Sequence, residues 1–278
     1  MPGIQFCTKQ VLRTGIVLYG FKLTFQSVID IGGAALLIDL IVVSLTILLG
    51  AGLGRLLKMD RDTALLTSIG SSICGAAAVL GAEPVVKSKP YKAAVAVSTV
   101  VIFGTLSMFL YPALYRAGML NLTTEQMGLF TGATLHEVAH VVGAGNAMGQ
   151  AISDPAIIVK MIRVMMLAPV LVILSIILAR RDSAAGGNSE KRKITIPWFA
   201  FLFLAVIGFN SLHLLPAELV DAINTLDTFL LTMAMTALGA ESSFEKFKKA
   251  GARPFLLAGL LYVWLFFGGY WLVKLISF

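Results

Sequence analysis

Charge is scarce in this sequence. Only 13% of its 278 residues are Asp, Glu, Lys or Arg, whereas 58% are hydrophobic and the mean hydropathy is +0.88. In a soluble domain about a quarter of the residues are charged, so this chain could not cover a water-exposed surface with polar groups. Most of its surface must therefore face lipid, and the lipid bilayer is its first expected partner.

Cysteine is scarce as well. Cys7 and Cys74 stand far apart, which excludes a disulfide framework and a paired metal site. The chain also lacks a glycine-rich phosphate-binding loop, so it cannot hydrolyse ATP by itself, and we expect no cofactor. Its net charge of +7 comes from basic residues between apolar runs, not on one polar face, so no nucleic-acid partner is expected.

Apolar segments occupy most of the chain. Nine are long enough to span a bilayer at about 20 residues per helical crossing; they lie at roughly 10–30, 33–55, 63–82, 92–115, 126–148, 155–179, 196–214, 217–240 and 254–276. We predict an all-α, multi-pass helix bundle that forms one transporter domain over 1–278. Most Lys and Arg residues fall in loops on the side of the N-terminus, which predicts a cytoplasmic N-terminus. The exceptions are Lys87, Lys89, Lys92 and Lys274.

Two segments share a weak repeat. Segment three reads LLTSIGSSICGAAA from Leu65, and segment eight reads LLTMAMTALGAESS from Leu230. They stand five segments apart, an odd number, so the two copies would enter the membrane from opposite sides, as in inverted-topology transporters. The predicted halves cover about 10–115 and 126–276, with a cytoplasmic linker at 180–195. By the same logic, segment five should have a partner just before segment one.

Small and hydroxyl residues lie at membrane depth in segments three and eight, where they permit a helix to unwind around a cavity. The end of a half-helix offers unpaired N–H groups, which suit an anion. The expected substrate-binding residues are Ser71, Ser72, Cys74, Gly75, Thr232 and Thr236. The alternative is that these small residues only allow close helix packing.

Segment five contains His136-Glu137-Val138-Ala139-His140, which matches the H-E-x-x-H pattern of zinc hydrolases. A zinc site needs a third protein ligand, and the candidates are not in a recognisable motif: Glu218, Asp221, Asp227 and Glu241. We therefore expect no metal and keep a zinc-dependent intramembrane hydrolase as the alternative function. In a transporter, His136 and Glu137 become the coupling or gating pair. In a third interpretation the two side chains only satisfy each other.

Other polar residues inside the segments are secondary candidates for a transport pathway: Asp39, Asn146, Arg163 and Asp227. Asp39 and Lys22 could pair with each other or line the pathway. Lys160 and Arg163 lie a turn apart and could attract anions, although snorkelling to the membrane interface is the simpler interpretation of that pair.

Several longer runs together resemble the YeiH family of bacterial inner-membrane proteins, a family described as sulfate exporters: RTGIVLYGFKLTF, GSSICGAAAVLGAEPVVK, VSTVVIFGTLSMFLYP, LHEVAHVVGAG, KMIRVMMLAP, KITIPWF and LDTFLLTMAMTALG. The resemblance covers nearly the whole chain. It implies a bacterial inner-membrane location and the inverted-repeat fold of bile-acid symporters and sodium/proton antiporters, in which two broken helices cross at the substrate site. Family members usually begin with two further hydrophobic segments and usually have glutamine where His140 stands here.

We therefore expect a secondary transporter that exports or exchanges a small anion such as sulfate or a sulfonate. The anion would bind at the backbone of Ser71–Gly75, with Thr232 and Thr236 across the crossing point. Coupling to protons or sodium ions and assembly as a homodimer are both compatible with such a fold.

Overall fold

A computed structural model describes residues 2–30, 33–184, 198–241 and 251–276, and these residues form helices joined by short turns. In chain order the helices are α1 Pro2–Phe6, α2 Leu12–Leu18, α3 Phe25–Asp30, α4 Gly33–Leu56, α5 Arg61–Ser72, α6 Ala76–Val86, α7 Pro90–Arg116, α8 Thr124–Thr134, α9 Val138–Met148, α10 Gln150–Met165, α11 Leu167–Ala184, α12 Trp198–Ser211, α13 Ala217–Glu241 and α14 Arg253–Ile276. A π-helical turn, Cys7–Val11, joins α1 to α2, and a 3-10 turn, Tyr19–Lys22, follows α2. The predicted all-α membrane bundle is confirmed.

Among the described residues, four helical stretches are long and apolar enough to cross a membrane: Gly33–Leu56, Pro90–Arg116, Gln150–Arg180 and Arg253–Ile276. Their lengths of 24, 27, 31 and 24 residues all exceed the roughly 20 that a bilayer core requires. Two pairs of much shorter helices lie between these stretches in the sequence: α5 and α6 before α7, and α8 and α9 after it.

Segment three does not cross the bundle but turns back within it. Lys92 Nζ, at the start of α7, lies 2.8 Å from Asp60 Oδ1 and 2.7 Å from Asp62 Oδ2, at the start of α5. If α5 and α6 continued in one direction, their 12 and 11 residues would separate these ends by about 35 Å. Helices α5 and α6 therefore form a re-entrant hairpin, here called hairpin 1, whose tip is Ile73–Gly75.

Segment five forms a second re-entrant hairpin from the opposite side. Arg116, at the end of α7, donates from Nη2 to the carbonyl oxygen of Ala147 at 2.6 Å, and Ala147 lies at the end of α9. Helix α8 also starts close to the end of α7, after a short loop. Helices α8 and α9 thus enter and leave at the Arg116 end of α7 and form hairpin 2, whose tip is Leu135–Glu137. The two hairpins enter from opposite sides because α7 crosses the bundle between them.

Local chemistry specifies where the hairpins begin and turn. Asp60 is the N-cap of α5 and accepts a hydrogen bond from the Thr63 N–H at 3.1 Å. Thr123 and Gln126 form a reciprocal capping box that starts α8. Tip 1 turns at Gly75, whose φ of 73° and ψ of −131° favour a residue without a Cβ.

Each hairpin packs along the long span that follows it: both arms of hairpin 1 contact α7, and both arms of hairpin 2 contact α10. The structure thus contains an inverted arrangement, but it relates segment three to segment five. The predicted break in segment eight is wrong, because α13 is unbroken from Ala217 to Glu241 and packs against α2 and the turns on either side of it. The repeat relation between segments three and eight stays a prediction. The prediction that all nine segments cross is also corrected, since segments three and five are re-entrant. Most of the linker predicted at 180–195 lies outside the described residues, and the boundaries of the two predicted halves stay a prediction.

Candidate functional site

The two hairpin tips meet deep inside the bundle. The Ala76 N–H, at the start of α6, donates to Glu137 Oε1 at 3.1 Å. A Cβ at Gly75 would lie 2.8 Å from the same carboxylate oxygen and would overlap the rest of the Glu137 side chain. Because Gly75 has no side chain, the Glu137 side chain has room to reach tip 1.

Lys160 joins the two tips from the neighbouring helix α10. Its Nζ donates to the Ile73 carbonyl oxygen at 2.6 Å and to the Leu135 carbonyl oxygen at 2.7 Å, and the residue is 0% exposed. These carbonyls belong to the C-terminal ends of α5 and α8, where helix dipoles place partial negative charge. One ammonium group thus stabilises one helix end from each hairpin.

Arg163 makes a second bridge one turn further along α10. Its Nη2 donates to the Ser72 carbonyl oxygen at 2.5 Å and its Nη1 to the Ala133 carbonyl oxygen at 2.5 Å. Its Nε lies 3.7 Å from Asp39 Oδ1 on α4, and both side chains are fully buried. The site therefore contains two buried cations, both anchored to backbone carbonyls and one of them paired with a carboxylate.

Two histidines extend the site toward α7. His140 Nε2 lies 3.4 Å from Thr105 Oγ1, and a Cβ at Gly104 would overlap the His140 ring. His136 is 0% exposed, and neither of its ring nitrogens has a hydrogen-bond partner among the described residues. A fully buried imidazole without a partner is costly and marks a place where a ligand could bind.

The arrangement does not match a zinc hydrolase. His136 lies in the tip before α9 begins at Val138, so the two imidazoles of the H-E-x-x-H pattern do not share one regular helix face. Within the part of the chain that the structure describes, no group of three His, Cys, Asp or Glu side chains is placed to hold a metal ion.

The structure brings together most of the residues predicted for the site. Ser71, Ser72, Cys74 and Gly75 form or adjoin tip 1, beside His136 and Glu137 of tip 2. Ser72 contributes its backbone carbonyl, because its hydroxyl donates to the Ile69 carbonyl oxygen at 3.0 Å. The Ser71 hydroxyl and the Cys74 thiol are both buried.

Two predicted residues lie elsewhere. Thr232 and Thr236 are exposed on α13, and their hydroxyls donate to carbonyl oxygens one turn earlier in the same helix, at 2.7 and 2.8 Å. Threonines in segment eight satisfy themselves in this way, so they do not require the helix to break. The assignment of these two residues across from tip 1 is therefore corrected.

The secondary candidates separate in the same way. Asp39 and Arg163 belong to the site, whereas Asp227 pairs with Lys22 at 2.9 Å, in a different part of the bundle. The suggested Asp39–Lys22 pair does not form. Asn146 accepts a hydrogen bond from the Ser153 hydroxyl at 2.8 Å, between α9 and α10, and is not part of the tips.

Sequence reasoning did not include Lys160 among the site residues, because snorkelling to the membrane interface was the simpler interpretation of its position. Helix α10 begins at Gln150, so Lys160 lies about 15 Å along it, near the middle of a bilayer core. A basic side chain at that depth cannot reach the membrane interface, so the position of Lys160 in its helix could have indicated a role inside the bundle.

Fold and site together define a polytopic α-helical membrane protein in which two opposed re-entrant hairpins meet at a charged, buried centre. The family described as Conserved hypothetical protein 698 matches residues 1–258, and the chain belongs to this family of UPF0324 membrane proteins.

Relatives with this name include a UPF0324 membrane protein of Bacteroides thetaiotaomicron, 67% identical over 278 residues, which cover 100% of this chain and 83% of the relative. The UPF0324 inner membrane protein YeiH of Escherichia coli is 51% identical over 269 residues, 96% of this chain and 76% of the relative. A UPF0324 membrane protein of Yersinia pestis is 50% identical over 273 residues, 96% of this chain and 75% of the relative. The resemblance to the YeiH family and a membrane location are thereby confirmed. No solved structure matches this chain.

Proposed function

We propose that this protein is a secondary transporter that exports or exchanges a small anion such as sulfate or a sulfonate, with its binding site where the two hairpin tips meet. The observation that carries the proposal is the meeting of two re-entrant hairpins from opposite sides on Lys160 and Arg163. Irregular backbone at membrane depth is tolerated where it is buried in protein or lines a cavity, and broken or re-entrant helices typically serve such sites in transporters.

The opposed hairpins suit alternating access. Hairpin 1 reaches the centre from the Lys92 end of α7, and hairpin 2 reaches it from the Arg116 end. A solute held between the tips therefore has one hairpin between it and each side of the membrane. Movement of either hairpin, or of the tips and α10 together, would open the centre to one side at a time.

The chemistry of the tips favours an anion. Helices α6 and α9 both begin there, so their first N–H groups and positive dipole ends converge on the centre. Lys160 and Arg163 add two basic side chains, which hydrogen bonds to backbone carbonyls of both hairpins fix in position. A compact oxyanion with several acceptor oxygens matches such a set of donors.

The basic residues orient the protein in the membrane. With hairpin 1 re-entrant, Lys87, Lys89 and Lys92 lie at the same end as Arg55 and Lys58, where the other exposed basic residues concentrate. The positive-inside rule favours a cytoplasmic location for this end, and the cytoplasmic N-terminus stays a prediction. Proton or sodium coupling and a homodimer stay predictions.

The proposal is tested by counterflow of radiolabelled sulfate into proteoliposomes, with unlabelled sulfate, methanesulfonate or acetate inside. We expect sulfate or methanesulfonate to drive uptake, and His136→Ala to abolish it. Glu125→Gln, on an exposed residue at the base of hairpin 2, is the matched control and should transport normally. Failure of every anion to exchange in the wild-type protein would refute the proposal.

A further inference from the structure

We infer that Glu137 is a tethered competitor of the transported anion, so that an anion enters the site only when Glu137 takes up a proton. This inference rests on the proposed function and adds its coupling: each anion bound at the tips brings one proton with it.

The Glu137 carboxylate occupies the position that an anion would take. It accepts the N–H of Ala76, the first residue of α6, in the space left by Gly75. The start of an 11-residue helix attracts negative charge through its free N–H groups and its dipole. A second carboxylate, sulfate or sulfonate cannot occupy the same N–H group while Glu137 holds it.

His136, the residue before Glu137 in tip 2, has free hydrogen-bonding capacity of its own. His136 is fully buried, and both of its ring nitrogens lack a partner among the described residues. An oxyanion that displaced Glu137 from Ala76 could accept a hydrogen bond from this ring. The tips therefore contain two groups that an incoming anion could bind. The Ala76 N–H now donates to Glu137, and the His136 ring has no partner among the described residues.

With all four side chains ionised, the formal charges of the centre balance without a bound solute. Lys160 and Arg163 on α10 supply two positive charges, and Asp39 on α4 and Glu137 supply two negative charges. Adding a sulfonate to this buried set would leave one uncompensated negative charge and adding sulfate would leave two, which is costly at low dielectric. A proton on Glu137 removes one negative charge and weakens the hold of Glu137 on Ala76, so it prepares the site for the anion in both respects.

Other titratable groups lie in or beside the two tips and must be separated from Glu137 by experiment. Cys74 lies in tip 1, His136 in tip 2 and His140 on α9. Helix α7 supplies no acidic or basic side chain between Lys92 and Arg116. Asp39, fully buried 3.7 Å from Arg163 Nε, is a further carboxyl group that the experiment must separate from Glu137. The Glu137 carboxylate is half-buried and contacts a neutral N–H group.

The test measures sulfate and methanesulfonate binding to the detergent-purified protein by titration calorimetry between pH 5.5 and 8. In the wild-type protein, one linked proton should lower the association constant about tenfold per pH unit at the alkaline end. Glu137→Gln should bind with an affinity that does not change with pH and should be at least about tenfold tighter than the wild type at pH 8. Glu137→Asp, whose shorter side chain cannot reach Ala76, should also bind more tightly at pH 8. Glu125→Gln should behave like the wild type.

The outcomes separate the two claims. If Glu137→Gln binds the anions but keeps the pH slope of the wild type, or binds more weakly at every pH, the competitor role is refuted while the anion transporter stands. If neither the wild type nor Glu137→Gln binds any of the anions at any pH, both the transporter and the competitor role are refuted.

Discussion

Replacing Arg163 by Met tests whether α10 holds the two hairpins together. The substitution keeps a long apolar stem but removes the hydrogen bonds to the Ser72 and Ala133 carbonyls, one in each hairpin. It also leaves the Asp39 carboxylate buried at 0% exposure without its cation. Removing one partner of a buried ion pair costs about 3–5 kcal/mol. That loss corresponds to a fall in melting temperature of roughly 6–20 °C, at about 2–4 °C per kcal/mol for chains of this order of size.

Arg116→Met is the matched control, because Arg116 also donates to a backbone carbonyl, that of Ala147, but at the exposed end of α7. Its loss should cost below about 1.5 kcal/mol. The double variant Asp39→Asn/Arg163→Met should recover part of the stability lost in Arg163→Met, since a buried pair couples by about 0.5–3 kcal/mol. The measurement is the thermal midpoint of the detergent-purified protein, followed by the loss of its monodisperse peak in size-exclusion chromatography. If Arg163→Met and Arg116→Met melt within about 2 °C of each other, the smallest shift expected for 1 kcal/mol, Arg163 does not hold the tips.

Two further predictions test the hairpins directly. The first uses a chain whose native cysteines are replaced and a maleimide that cannot cross the membrane. Lys89→Cys should react only in permeabilised cells, whereas Glu125→Cys should react in intact cells. The reverse pattern would contradict the hairpins and support nine crossing segments. Gly104→Ala adds a methyl group that overlaps the His140 ring, so we expect a loss of about 1–3 kcal/mol in stability and of sulfate exchange. Gly52→Ala, which meets no atom within 4 Å, should leave both unchanged or slightly improved, and equal effects of the two variants would contradict the close contact at His140.

Much of the architecture could be predicted from the chain itself because hydropathy acts along the sequence. The lack of charge specifies a membrane protein, and the cluster of Ser, Cys and Gly at 68–75 locates the break in segment three. The structure has that break at Ile73–Gly75. Residue type was informative here because only Gly75 can adopt the backbone geometry of the turn at low cost.

Segment eight misled the same reasoning because hydroxyl residues have two uses in a membrane helix. Thr228, Thr232 and Thr236 each donate to the carbonyl one turn earlier, which satisfies the hydroxyl without breaking the helix. In segment five the break instead falls between Thr134 and Val138, at a position where the H-E-x-x-H pattern suggested a regular helix. Which of these outcomes occurs depends on tertiary partners such as Lys160 and Arg163, which no local pattern specifies.

Hydropathy also cannot distinguish a crossing helix from a re-entrant pair, because both are apolar and about 25 residues long. The distribution of basic residues is independent of hydropathy, and it carried the missing signal: Lys87, Lys89 and Lys92 fit poorly on the far side of a crossing segment three. Turning that segment back moves all three to the side rich in basic residues. It also requires the tip to stop near mid-membrane, since 12 residues of α5 reach only about 18 Å. Helix ends that stop at this depth leave carbonyl groups without water, so they need donors of their own, and Lys160 and Arg163 are those donors.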